Sequence, residues 1–200
     1  MTGVQTCALP ISGVLAIGLQ AVAQGDPPRA FNAETAATRA PATTVRIDLI
    51  GDSTQTNNAG YGRGFCANLT PAVDCLNMSR GGASTKTYRE MGLWDKALAT
   101  KPDYMLIQFG HNDSGPLDDK DRARGSINGV GAESKEIDNP VRHVHETVYT
   151  FGHYLEQYIK DARAHGATPI LCSLVPRKIW KDGKIERQTD TYRRQWRTNW

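Results

Sequence analysis

No apolar run in this chain reaches the roughly 20 residues that a membrane-spanning helix needs. The longest near the front, Gly13 to Leu19, is far shorter. The formal charge of +3 is too small to argue for nucleic acid. No spacing of cysteine and histidine matches a zinc site, and no internal repeat is present. Nucleic acid, membrane and metal are therefore not among the expected partners. A chain of 200 residues suits one domain with a sizeable core.

The first residues differ in character from the remainder of the chain. Residues 1–11, "MTGVQTCALPI", match the translation of a common sequencing adapter and are set aside as non-native, Cys7 included. Residues 12–23 are expected to be the remnant of a signal peptide, with Ala21-Val22-Ala23 as an A-x-A cleavage site. Residues 24–42, rich in Ala, Thr and Pro, form a linker, and the domain proper occupies 43–200. The expected location is secreted or periplasmic. In such a compartment Cys66 and Cys75, close together in "GFCANLTPAVDC", could pair. Cys172, in the strand-like "TPILCSLVP", is expected to be a buried thiol.

From Thr43 onward strands and helices alternate. "VRIDLIGDS", "VDCLNMSRGGAS", "KPDYMLIQFGHND" and "ATPILCSLVP" read as four strands. The third is almost continuously apolar, as in a strand covered on both faces. "GYGRGFCANLTP" reads as a short helix and "TKTYREMGLWDKALAT" as one amphipathic helix. "VRHVHETVYTFGHYLEQYIKDARAHG" reads as one long helix closed by Gly166. The alternation predicts a three-layer α/β/α domain around a parallel sheet with right-handed crossovers. Ligands of such sheets bind beyond the carboxyl ends of the strands. Ser53, Gly81-Gly82 and Gly110-His111-Asn112-Asp113 each follow a different strand, so one rim is expected to gather all three.

A serine at a strand-to-helix turn is exposed, and the first N–H groups of the next turn face whatever it holds. Attack by Ser53 on an ester carbonyl creates an oxyanion that needs donors. The Ser53 N–H, the Gly82 N–H and the Asn112 amide are of the right kind. Each piece alone has an ordinary reading as a turn, a helix cap or an Asx turn. His111 beside them reads equally as a packed, capping or substrate-binding residue.

Taken in order, "IGDST", "NMSRGGASTKTY" and "QFGHND" resemble the first three sequence blocks of the SGNH/GDSL hydrolases, most closely their rhamnogalacturonan acetylesterase branch, carbohydrate esterase family 12. The resemblance runs from about Arg46 to the end of the chain. It implies a flavodoxin-like SGNH-hydrolase fold, C-terminally incomplete here. It also implies Ser53 as nucleophile, Gly82 and Asn112 in the oxyanion hole, and no metal or organic cofactor. The implied activity is deacetylation of a pectic polysaccharide through an acyl-enzyme by a monomeric protein. The other readings are a lipid or thioester esterase of the same family and a non-catalytic carbohydrate-binding protein.

One block of that family is absent. A D-x-x-H motif supplies its general base and the acid that orients it, but none of the 5 histidines here has an aspartate three residues before it. Asp52 cannot substitute, because a triad needs an imidazole between carboxylate and hydroxyl. The 200 residues alone are therefore expected to be nearly inactive.

Two further segments bear on substrate. "PRKIWKDGKIERQ" reads as a hairpin turning at Asp182-Gly183. Arg177, Lys178 and Trp180 on it suit an acidic sugar chain, or simply a lysine-protected edge. Residues 114–140 read as a long structureless loop shaping the cleft. His143 and His145 form H-x-H, but two positions apart on a helix they face different ways, so a metal is not expected there.

Overall fold

The computed structural model describes residues 44–175 and 179–185. Four strands, β1 (Val45–Gly51), β2 (Val73–Asn77), β3 (Tyr104–Gln108) and β6 (Thr168–Leu171), form a parallel sheet in the order β2-β1-β3-β6. Chain order reverses at β1, so the loops after β1 and β3 open on the same crevice. The β2 segment continues beside β1 past the strand end: Met78 N–H donates to Leu49 O at 3.0 Å and Arg80 N–H to Gly51 O at 2.8 Å.

Alternation along the strands decides what covers each face. Ile50, Met105 and Ile107 point into a core shared with α2 (Thr85–Glu90), α3 (Leu93–Ala99) and α4 (Phe151–Ala164). Tyr88, Trp94, Leu155 and Tyr158 fill that core from the helices. The Trp94 and Tyr158 rings meet edge-on with centroids 4.5 Å apart, a geometry that adds to simple burial. Helix α1 (Gly62–Ala67) packs on β2 from the opposite face, tied there by the Cys66–Cys75 disulfide.

Several sequence expectations are corrected. The stretch 85–100 is two helices, because Gly92 at φ +66° ends α2 and serves as N-cap of α3. The long helix over 141–166 is only half helical. Its first part is strand β5 (Val144–Tyr149), paired antiparallel with β4 (Ser134–Asn139), and α4 starts only after Thr150 caps it by accepting from His153 N–H at 3.0 Å. The segment 114–140 accordingly is not structureless, since its last part is β4. Gly166, at φ +79°, does follow the end of α4. On the α1 side of β3, Tyr104 is 40% exposed and Leu106 half-buried, so among the described residues that face is less covered than the other. The turn at Asp182-Gly183 joins β7 (Trp180–Lys181) and β8 (Lys184–Ile185), with φ of +51° and +73° at the two turn residues.

Candidate active site

The serine of the first motif stands just past the end of β1, half-buried. Its predecessor, Asp52, is fully buried and organises the turn. Asp52 Oδ1 accepts from the Thr54 N–H and the Thr54 hydroxyl, both at 2.8 Å, while Oδ2 lies 3.7 Å from His111 Nδ1. Burial opposes ionisation of Asp52, but His111 and the Thr54 donors outweigh it and hold the carboxyl below its usual range. The other nitrogen of His111, Nε2, shares a hydrogen bond with Val175 O at 3.0 Å. The ring thus bridges the β1 turn and the segment after β6.

The second motif comes within contact of the first. A Cβ placed on Gly81 would sit 3.9 Å from Ser53 Cβ. Gly82 next to it has φ +80°, a backbone that disfavours any side chain, and Ser84 begins α2 with a reciprocal capping box to Thr87. Two residues of the third motif bond to the second. Asn112 Nδ2 donates to Ala83 O at 2.7 Å. Asp113, fully buried, accepts from Thr85 N–H at 3.0 Å and from the Thr85 hydroxyl. Its Oδ1 also accepts from the Ser126 hydroxyl at 3.3 Å. Burial pushes the Asp113 carboxyl up to about 7, against the pull of these donors.

What remains available on this cluster is informative. Among the described residues, neither the Ser53 N–H nor the Gly82 N–H is engaged in a hydrogen bond. One hydrogen of the Asn112 amide goes to Ala83, which leaves the second. Three donors without a partner among the described residues thus lie on motifs joined at the rim that carries a half-buried serine, and they are of the kind an oxyanion requires. No described side chain hydrogen-bonds the Ser53 hydroxyl.

Residues 35–199 match the model of the GDSL-like lipase/acylhydrolase family. The chain belongs to that family. Among relatives of this GDSL-family chain, a rhamnogalacturonan acetylesterase of Emericella nidulans is 33% identical over 141 residues, covering 68% of this chain and 55% of its own length. Two Bacillus subtilis proteins are also similar. One, named a probable rhamnogalacturonan acetylesterase, YesY, is 32% identical over 68% of this chain and 57% of its own. The other, rhamnogalacturonan acetylesterase RhgT, is 30% identical over 74% of this chain and 57% of its own. The chain therefore spans a little over half the length of the curated relatives it matches. The crystal structure of YxiM from Bacillus subtilis shares the fold, with a TM-score of 0.50 at 20% identity, over 76% of this chain and 40% of that one.

The other residues singled out in the sequence are scattered. Trp180 is 58% exposed on the β7–β8 hairpin, and Arg177 and Lys178 lie outside the described residues. His143 occupies the β4–β5 turn at φ +55° and His145 is on β5, paired with Asp138 at 2.8 Å and Glu136 at 3.2 Å. The reading of both as helical is thus overturned. Among the described residues no group of three or more His, Cys, Asp or Glu converges as a metal site. Cys172 carries a free thiol, half-buried rather than fully buried as expected, and burial raises its pKa.

Sequence reasoning placed Asp113 at this rim without its role and missed Arg124. Asp113 stands out in the sequence only as the end of "QFGHND", yet it joins the second and third motifs to Ser126. Its signal was its place directly after Asn112. Arg124, on the loop after β3, donates from Nη1 to Gly82 O at 3.1 Å. Nothing in the local pattern of a charged loop marks it, because the contact spans 42 positions.

Proposed function

We propose that this chain carries the nucleophile and oxyanion hole of a secreted or periplasmic serine esterase that removes acetyl groups from a rhamnogalacturonan-type pectic polysaccharide. The observation that carries the reading is the joining of three strand-end motifs on one rim, Gly81 against Ser53 and Asn112 and Asp113 against the second motif, with three donor hydrogens unengaged among the described residues. The relatives' names supply the substrate class. The Cys66–Cys75 bond supports an oxidising compartment.

In this reading Ser53 Oγ attacks the acetyl carbonyl. The carbonyl oxygen becomes an oxyanion and accepts hydrogen bonds from the Ser53 N–H, the Gly82 N–H and Asn112 Nδ2. Collapse expels the sugar hydroxyl and leaves acetyl on Ser53, and water then releases acetate. Each attack needs a proton acceptor, and no Asp-x-x-His pair occurs in the 200 residues. Removing the histidine of a serine triad costs on the order of 10⁶ in turnover. These residues alone therefore turn over slowly, and exogenous imidazole offers a substitute base.

The test is acyl release in the presence of imidazole, from acetylated rhamnogalacturonan, a fatty-acyl ester and an acyl thioester side by side. Acetate from the polysaccharide is expected to be released fastest. Faster cleavage of the fatty-acyl ester or the thioester would replace the carbohydrate reading with that of a lipid or thioester esterase.

A further inference from the structure

The loop after β3 sets a cation against the oxyanion glycine. Arg124 Nη1 donates to Gly82 O at 3.1 Å, and a Cβ on Gly82 would lie 3.4 Å from the same nitrogen. Ser53, Gly81, Gly82 and Arg124 are therefore successive neighbours across one patch. The loop that carries Arg124 is fixed on both sides of it. Asp119 O accepts from Ala123 N–H at 2.9 Å, and Asp113 O from Ser126 N–H at 2.9 Å. The loop that bears the guanidinium is thus tied to the rim by the same Asp113 that joins the other motifs, and the guanidinium itself by Gly82 O.

This arginine is half-buried, yet among the described residues it makes no ion pair within 4.0 Å and no hydrogen bond other than the one to Gly82 O. Desolvation and the charge of Arg122 lower its pKa, only partly offset by the charges of Asp119, Asp113 and Asp52. An arginine stays charged in any such setting. Four of its five N–H donors have no partner among the described residues. A guanidinium fork is the side chain best matched to a planar carboxylate, which it binds through two parallel hydrogen bonds.

We propose that Arg124 is a specificity-determining residue that binds a carboxylate on the sugar chain whose acetyl ester is presented to Ser53. This rests on the esterase reading for the identity of the chain, a uronate-bearing polysaccharide, but not for the existence of the anion site. The loop's position explains why one residue can serve here. An arginine beside the oxyanion glycine reads the acid of the same or the neighbouring sugar while the acetyl carbonyl occupies the hole.

Binding separates this inference from the chemistry, because it needs no base. The probe is a short, unacetylated oligogalacturonate, compared with its methyl ester, titrated calorimetrically into the full chain. The wild type is expected to bind the free acid at least about tenfold more tightly than the ester, one fork–carboxylate pair being worth roughly that ratio. R124Q is expected to erase the preference and R124K to keep part of it, as a point charge without the fork. Equal binding of acid and ester by the wild type would overturn the proposal. So would no binding of either, or a preference that survives in R124Q. Should R124Q fail to fold, an R124K preference equal to the wild type's would overturn the fork-specific assignment. Acid preference lost in R124Q without Ser53-dependent acetate release would leave the anion site standing and remove the esterase reading. Acetate release with an unaltered preference would do the reverse.

Discussion

At the scale of single residues, the site depends on atoms that anchor one another rather than on any one unusual side chain. Asn112 is useful because one amide hydrogen is fixed to Ala83 O, which aims the other. N112A is expected to lower Ser53-dependent acetate release by about 10²–10³-fold, the usual loss for one oxyanion donor, with little change in substrate binding. Steady-state rates with imidazole at saturating substrate measure this. The three motifs were legible in the sequence because strand ends and glycines are local signals. Arg124 and the clasp of Asp113 on Thr85 and Ser126 were not, since both join segments far apart in the chain and leave no periodicity behind.

Among the elements, legibility was uneven. The parallel sheet was readable from four short strand-like runs alternating with helices, and α4 from its Gly166 stop. Strand β5 was misread as helix because Val144, Val148 and Tyr149 also fit a helical stripe with Phe151 and Leu155, and β4 was read as part of the loop before it. The contrary signals were the β-branched density of "VHETVYT" and the Thr150 cap, together with Asn139-Pro140 as a turn start. What holds this hairpin to α2 is a charge cluster invisible to periodicity. Lys86, 3% exposed, meets Glu146 at 2.5 Å and Glu90 at 3.7 Å, and Arg142 reaches both acids at 3.0 Å. Removing one member of the Lys86–Glu146 pair strands the buried charge of the other, whereas replacing both by apolar chains of similar length does not. E146A is therefore expected to destabilise the protein by about 3 kcal/mol and the double variant K86M/E146L by much less, as read from urea unfolding midpoints.

For the whole molecule, two buried carboxyls set the pH dependence of stability. Asp48, on β1, donates nothing when ionised and accepts one hydrogen bond from the Thr100 hydroxyl, while its Oδ1 has no hydrogen-bond partner among the described residues. Burial raises it to about 7, as it raises Asp113 to about 7. In the unfolded chain both carboxyls ionise near the ordinary aspartate value of about 4. Between about pH 4 and 7 the folded state therefore holds protons that the unfolded state has released. Unfolding free energy should fall as pH rises through that window and level off above it. D48N, neutral at every pH and nearly isosteric, is expected to flatten part of this slope, measured by denaturant unfolding at a series of pH values. A wild-type stability that rises from about pH 4 to 7 would contradict this assignment.

It is also at this scale that three strand ends either do or do not assemble one acyl-transfer site around Ser53. The deciding measurement is acetate released from acetylated rhamnogalacturonan with increasing imidazole, in the wild-type chain and in S53A. Release should climb with imidazole in the wild type and stay at the uncatalysed level in S53A. Equal release by the two proteins would mean that Ser53 is not the nucleophile, and that the rim these motifs build serves some other purpose.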